Sequence, residues 1–191
     1  MSTYRRNICR TDSTSRPRAI VAGLALALAS GAALADGAHR FVFSAYSDAP
    51  GGSEVVAGRY GAALEELKSQ AGDIALDPLA ANTNRCIAYS MTLRWQEAHA
   101  ACNAAVSAAS EQRLGVPAWL SGLRASDDRD LALAYANRAV LHWLSQDEPA
   151  AAEDLTRARE LAPRADFVAR NIAALNVHLT VARATTAVPK S

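Results

Sequence analysis

The chain contains two related stretches, NRCIAYSMTLRWQEAHAACNAA at residues 84–105 and NRAVLHWLSQDEPAAAEDLTRA at residues 137–158. An offset of 53 residues relates Asn84, Cys86, Tyr89, Ala98, Cys102 and Ala105 to Asn137, Ala139, His142, Ala151, Leu155 and Ala158. A further offset of 34 leads from Asn137 and Ala139 to Asn171 and Ala173. Since 53 is 34 plus 19, the pattern indicates a 34-residue repeat interrupted once by a 19-residue insertion.

The period and its small residues predict the fold class. A repeat of this length with small residues at fixed positions is typical of helix-turn-helix arrays, in which each hairpin packs against its neighbours. Ala98, Cys102 and Ala105 are spaced by four and three residues, so they lie on one face of a helix. We therefore predict an all-α protein. Because such arrays mostly bind other molecules, the sequence favours a binding function without naming the partner.

Residues 1–35 have the features of an export signal. Five arginines precede an uncharged run from Ala19 to Leu34, and Ala33-Leu34-Ala35 is a small-residue cleavage site. The run has about 16 residues, whereas a membrane-spanning helix needs roughly 20. We expect general secretory export, cleavage after Ala35 and a periplasmic or secreted protein. An uncleaved N-terminal anchor is the alternative.

The charge balance argues against nucleic acid as a partner. Removal of the signal, with five Arg and one Asp, reduces 20 basic and 19 acidic residues to 15 and 18. A mildly acidic chain lacks the basic face that binds phosphates. The remaining 156 residues are enough for one domain with a modest core. No later run is long and apolar enough to span a membrane, so we expect no stable membrane span after cleavage.

Local patterns divide the mature chain into segments. Residues 36–52 are irregular, and the spacing of Phe41, Phe43 and Tyr46 suggests a short extended segment lying on the helices. Pro50-Gly51-Gly52 ends that segment. The helical pattern begins at Ser53 and the predicted helical domain covers residues 53–183. Its parts are a degenerate half-repeat at 53–71, repeats at 79–112 and 132–165, an insertion at 111–129 and a capping helix at 166–182, followed by a flexible tail at 184–191.

The insertion is predicted to be largely non-helical. Gly115, Pro117 and Gly122 are loop-forming residues, and Asp127-Asp128 is suited to cap the next helix. We expect Trp119, within this insertion, to pack onto the helices. The alternative is a functional loop, because long loops that carry an aromatic residue often bind partners.

The repeat positions resemble those of the tetratricopeptide repeat family. Its repeats carry a small residue at the eighth position, an aromatic at the eleventh, Ala at the twentieth and twenty-seventh, and Pro at the thirty-second. The matching residues are Cys86, Tyr89, Ala98 and Ala105 in the first repeat, and Ala139, His142, Ala151, Ala158 and Pro163 in the second. Small residues let the two helices of a hairpin approach closely.

The resemblance has departures as well as matches. Arg85 and Arg138 replace the usual apolar seventh residue, and Leu93 and Gln146 replace the Gly common at the hairpin turn, which Gly58 keeps. The family's fold implies a right-handed superhelical array, here with two full repeats, a degenerate half-repeat and a capping helix. It specifies the fold and leaves the partner open.

The cysteine count agrees with export. Cys9 leaves with the signal, so the mature chain keeps Cys86 and Cys102, an even number in an oxidising compartment. The two lie on opposite helices of one hairpin at positions whose faces meet, which favours a structural disulfide. Two buried thiols remain an alternative, and a redox-active pair is a further one.

The inner surface implied by the resemblance is mainly apolar with one cation. The candidate groove residues are Ile87, Met91, Val140, Trp143, Leu144 and Arg170. An apolar groove of this kind suits an extended peptide or an amphipathic helix of a protein partner. Trp143 is the expected anchor, with Arg170 meeting an acidic group. The alternative is that the N-terminal segment, or simple packing, covers these side chains.

No motif favours an enzyme. G-x-S-x-G, H-E-x-x-H, the P-loop and C-x-x-C are missing, and the four histidines lack the spacing of metal ligands. We predict no catalytic residue, no metal site and no cofactor. The leading hypothesis is an exported protein-interaction module. A self-assembling structural protein and an accessory or redox protein using Cys86 and Cys102 are the rivals.

Overall fold

The computed structural model describes residues 40–70, 77–117 and 119–186. These residues form seven α-helices and no strand, which confirms the all-α prediction for this part of the chain. The helices are α1 (Gly52–Val56), α2 (Tyr60–Ser69), α3 (Pro78–Met91), α4 (Trp95–Leu114), α5 (Ser121–Leu144), α6 (Glu148–Leu161) and α7 (Asp166–Thr186). The predicted signal peptide and its cleavage site lie outside the described residues.

The helices pack mainly against their neighbours in the chain. The largest contacts join α3 to α4 and α5 to α6, while α4 also packs on α5, and α7 contacts both α5 and α6. Buried alanines line the α3–α4 and α5–α6 contacts at Ala98, Ala105, Ala151 and Ala158. Because an alanine side chain is one methyl group, the two helices of each pair can approach closely.

Two aspartates fix helix starts. The Asp77 side chain accepts a hydrogen bond from the Leu79 amide, and Pro78 is the first residue of α3. The Asp147 side chain accepts from the Ala150 amide before α6, whose second residue is Pro149. A carboxylate cap satisfies an amide that has no partner within the helix, and proline needs none.

Both hairpin turns contain a residue with a left-handed backbone. Leu93 has a φ of 60° and Gln146 a φ of 66°, and the two are 53 positions apart. Gly58, between α1 and α2, has a φ of 73°. The hydroxyl groups of Thr92 and Ser145 donate to the carbonyl groups of Ala88 and Leu141, respectively. The repeated sequence thus produces the same turn twice.

The structure corrects the prediction for the insertion. In the preceding stretch, the left-handed Gly58 lies between α1 and α2, at the turn position predicted for it from the sequence. In the insertion, α4 continues to Leu114 and α5 begins at Ser121, so Asp127 and Asp128 lie inside α5 and not at its start. An ion pair between Arg113 and Asp128 joins the two extended helices. Gly115 and Pro117 lie in the connection between the two helices, whereas Gly122 lies inside α5.

Trp119 also differs from its prediction. It does not pack onto the helices but is 79% exposed, and Leu114 and Leu123 beside it are also exposed. The extension of α4 and α5 leaves only a short connection between them, and that connection carries Trp119 into solvent. Among the described helices, none is long and apolar enough to cross a membrane.

Candidate functional site

Residues 40–49, termed here the N-terminal segment, lie across the helices. Residues 40–46 have no regular secondary structure, yet Ser44, Ala45, Tyr46 and Ala49 are buried. Tyr46 and Ala49 belong to the main hydrophobic cluster, together with residues of five helices. The segment is therefore an integral part of the folded structure, as the sequence alternative of a covering segment anticipates.

Three asparagines hold the backbone of this segment. Asn171 on α7 binds Val42, Asn137 on α5 binds Ser44, and Asn84 on α3 binds Tyr46. In each case the side-chain oxygen accepts from the amide of that residue, at 2.7, 2.9 and 3.1 Å. In each case the side-chain nitrogen donates to the carbonyl of the same residue, at 3.0, 2.8 and 3.0 Å.

These three residues, termed the asparagine row, act on the segment as a neighbouring β-strand would. An extended chain presents the amide and carbonyl of alternate residues along one edge, and the row binds residues 42, 44 and 46. All three asparagines are almost fully buried. A buried amide without partners costs about 1–3 kcal/mol, so each asparagine needs this backbone, or an equivalent one, to be satisfied.

A tight turn joins the segment to α1. The Asn84 side chain also donates to the Pro50 carbonyl, and Gly51 has a φ of 70°. A Cβ atom at Gly52 would stand 1.9 Å from the Tyr46 carbonyl oxygen, so only glycine fits there. This turn fixes the end of the segment that lies on Asn84.

The side chains of the segment make contacts at three places on the helices. The Phe41 ring stacks on Trp143 and His178, with ring centroids 5.1 and 5.8 Å apart. Phe43 and Ala45 pack in a hydrophobic cluster with Ile87. The Tyr46 hydroxyl donates to the Asp130 carboxylate at 2.7 Å, and both residues are buried. The segment thus resembles a bound peptide whose anchoring side chains are Phe41, Phe43 and Tyr46.

The structure separates the six predicted groove residues. Ile87 and Trp143 meet the N-terminal segment, and Val140 is buried. Met91 and Leu144 are the last residues of α3 and α5 and are each 40% exposed. Arg170 is exposed on α7 and has no acidic partner among the described residues.

Sequence reasoning missed the asparagine row, Asp130 and the hydroxyl of Tyr46. A signal for the row exists, because Asn84, Asn137 and Asn171 share one repeat position and are polar within apolar surroundings. A polar residue that recurs at the same register of a buried face needs a partner outside its own helix. Asp130 lies 53 positions after Asp77, the cap of α3, and that relation does not indicate a contact with Tyr46.

The cysteine pair lies outside the segment contacts. The sulfur atoms of Cys86 and Cys102 are 2.01 Å apart, and their Cα atoms are 4.7 Å apart. Both residues are buried between α3 and α4 with Ala98 and Leu141. The pair therefore has the geometry of a structural disulfide, and its burial disfavours an exposed, reactive thiol.

A polar cluster lies on the second hairpin. Arg138 donates to both carboxylate oxygens of Asp154, and this bonding raises the Arg138 pKa above its usual value. Burial lowers the pKa of His142, while the nearby Asp154 and Asp147 oppose that effect. In the described part of the chain, no group of three or more His, Cys, Asp or Glu side chains is arranged to hold a metal ion.

No protein-family model matches this chain, and no match is found among the curated proteins or among the solved structures compared with it.

Proposed function

We propose that this chain is an exported protein-interaction module of the tetratricopeptide repeat type, whose groove binds an extended peptide of a protein partner. The observation that carries the proposal is the asparagine row, which binds three alternate residues of an extended backbone through both amide and carbonyl. The contacts are independent of the side chains of those residues. A peptide from another protein can therefore make the same hydrogen bonds.

The hydrogen bonds of the asparagine row are strong enough in sum to support reversible binding of a peptide. Six of them join the row to residues 42, 44 and 46. At a net value of about 1 kcal/mol each, they stabilise the bound backbone by on the order of 6 kcal/mol. The entropy lost when a free peptide becomes ordered offsets part of this free energy. The aromatic contacts of Trp143 and His178 supply further affinity.

The N-terminal segment acts as a tethered competitor for the partner. A peptide attached by a short linker has an effective local concentration of about millimolar. A free peptide must therefore bind the row more tightly than the segment does, or bind when the segment has partly dissociated. The end at Phe41 is only partly buried, whereas the end at Tyr46 is buried and followed by the tight turn. We expect a partner to displace the segment from the Phe41 end first.

The test uses a fluorescein-labelled peptide of residues 40–47, RFVFSAYS, titrated into the purified protein. A Phe41→Ala variant, whose own segment has lost its aromatic contacts, should bind the peptide at least tenfold more tightly than the wild type. Adding Asn137→Ala to that variant should abolish the gain. Adding Asn176→Ala, an exposed asparagine on α7, should leave it unchanged.

Circular dichroism of each variant shows whether it is folded. If Asn137→Ala fails to fold, Asn171→Ala at the end of the row serves instead. Equal weak binding by the wild type and the Phe41→Ala variant would contradict the proposal, as would binding that persists without the row.

A second candidate function is self-assembly. Leu114, Trp119 and Leu123 form a group of exposed apolar side chains around the connection from α4 to α5. Contiguous exposed apolar patches often mark contacts between proteins. Sedimentation at several concentrations tests this candidate: a Trp119→Ser variant should abolish any concentration-dependent association that the wild type shows.

A further inference from the structure

The N-terminal segment shows which side chains its binding face accepts. The first recognised side chain is Phe41, which lies with Trp143 and His178 in a group of three stacked or tilted rings. Stacked or tilted aromatic pairs contribute affinity beyond the burial of their area. Val42 is only partly buried and is bound through its backbone. The face therefore requires an aromatic residue at the first place, that of Phe41, and accepts many side chains at the second, that of Val42.

The middle of the segment is restricted by size. Phe43 packs against the cluster that contains Ile87, so an apolar side chain suits the third place. Ser44 and Ala45 are 3% and 5% exposed, and a larger side chain at either place would need space that the packed helices do not offer. The Ser44 hydroxyl is buried and makes no hydrogen bond to the described residues, so that place requires small size alone.

The last recognised side chain is distinguished by one polar group. The Tyr46 hydroxyl donates to the Asp130 carboxylate in a buried position, and the Tyr46 ring lies in the main hydrophobic cluster. A hydrogen bond to a charged acceptor is stronger than one between neutral groups. Phenylalanine would fill the same volume without this bond. The face therefore distinguishes tyrosine from phenylalanine at the sixth place.

We propose that the partner of this chain carries an extended six-residue element with the pattern aromatic, any residue, apolar, small, small, tyrosine. The proposal rests on the proposed function, since it names the partner of the same binding face. The first, third and sixth side chains supply affinity and the fourth and fifth exclude larger residues. The asparagine row fixes the register, because a shift by one residue would present the wrong edge of the backbone.

The experiment compares peptides on one acceptor, the full Phe41→Ala protein. The probe is the labelled RFVFSAYS peptide, and unlabelled variants compete with it. Tyr46→Phe in the peptide should weaken binding about tenfold, and Ala45→Leu should weaken it at least tenfold. Val42→Thr in the peptide, at the unrestricted second place, should change binding less than about threefold. A scrambled peptide is expected to compete at least a hundredfold more weakly, since it has lost every recognised side chain.

A variant of the acceptor tests which of its groups distinguishes tyrosine from phenylalanine in the peptide. Asp130→Ala in the Phe41→Ala acceptor should bind the tyrosine and phenylalanine peptides equally. Should this acceptor fail to fold, Asp130→Asn, which keeps the size of the side chain, should narrow the difference between the two peptides. A tenfold preference for tyrosine that survives both substitutions would show that Asp130 does not provide this recognition.

The outcomes separate the pattern from the proposed function. Equal competition by all peptides, including the scrambled one, would overturn the pattern and leave a sequence-independent peptide binder. The absence of binding by every peptide would overturn the pattern and the proposed function together. A dimer of the wild type in sedimentation, lost in the Phe41→Ala variant, would overturn the assignment to another protein and identify the occupant as the segment of a second copy.

Discussion

The two principal hairpins have the same register and different links between their helices. In the α3–α4 hairpin, the sulfur atoms of Cys86 and Cys102 are at bonding distance. The residues 53 positions later are Ala139 and Leu155, which are buried but cannot form such a bond. The α5–α6 hairpin is instead joined by Arg138 and Asp154, at 2.7 Å.

The same arginine position has a different role in each hairpin. Arg85, the counterpart of Arg138, donates to the Asn82 side chain and to the Leu67 carbonyl, because Ala101 occupies the place of Asp154. One hairpin thus has a covalent link where its counterpart has a charged one. The comparison teaches that two hairpins can bring their helices together at corresponding positions, while individual residues decide what joins the helices.

Removal of the cysteine pair should have the largest effect. The double variant Cys86→Ala and Cys102→Ala should lower the free energy of unfolding by about 3 kcal/mol, because a closed loop of this size no longer restricts the unfolded chain. Urea unfolding of wild type and variant, with and without reductant, measures it. Wild type and variant of equal stability would contradict the structural role, as would free thiols at both positions in the denatured, unreduced protein.

Removal of the ion pair should weaken the second hairpin. Asp154→Ala leaves the partly buried Arg138 with Asn103 as its remaining side-chain hydrogen-bond acceptor. We expect a loss of about 2 kcal/mol, below the range for fully buried pairs because Arg138 still reaches solvent. Hydrogen exchange should accelerate in α5 and α6 and remain slow in α3 and α4. Asp154→Asn is the matched control. Equal acceleration of hydrogen exchange in both hairpins would contradict the conclusion that each hairpin is held by its own link.

Glycine at the hairpin turns should stabilise both hairpins slightly. Leu93 and Gln146 have left-handed backbones, which cost about 1–2 kcal/mol for residues with a side chain, and the greater freedom of glycine in the unfolded chain offsets part of the gain. Each substitution to Gly should add about 0.5 kcal/mol in thermal unfolding. Ser145→Gly, next to Gln146 and with a φ of −88°, should destabilise instead. Equal effects at both neighbours would contradict the turn assignment.

The smallest effect should come from the titration of His142. Burial places its folded pKa below the ordinary value of 6.5, so the unfolded chain binds more protons between the two values. Stability should therefore be complete above about pH 6.5 and fall as the pH drops through the folded pKa. His142→Tyr, which copies Tyr89 of the first hairpin, should reduce this pH dependence. An unchanged profile would assign the acid sensitivity to other groups.

Local sequence patterns predicted much of the fold and only part of the candidate site. The 34-residue period and the small residues led to the helices around Cys86 and Ala139, and to the contact between Cys86 and Cys102. Trp143, which the sequence favoured as the anchor for a partner, lies against Phe41 of the N-terminal segment, as the alternative of a covering segment anticipates. The insertion is more helical than predicted, since α5 begins at Ser121 and includes Gly122, and Trp119 is exposed where packing onto the helices was expected.

The sequence by itself determined the helical class, the positions of the turns and the recurrence of asparagine at one register, because these depend on residues close together in the chain. Only the tertiary structure decided what the asparagines bind. Their partners on the N-terminal segment are 38, 93 and 129 residues away, and no local periodicity specifies such contacts. The segment lies there because packed helices leave three buried amides that an extended backbone can satisfy.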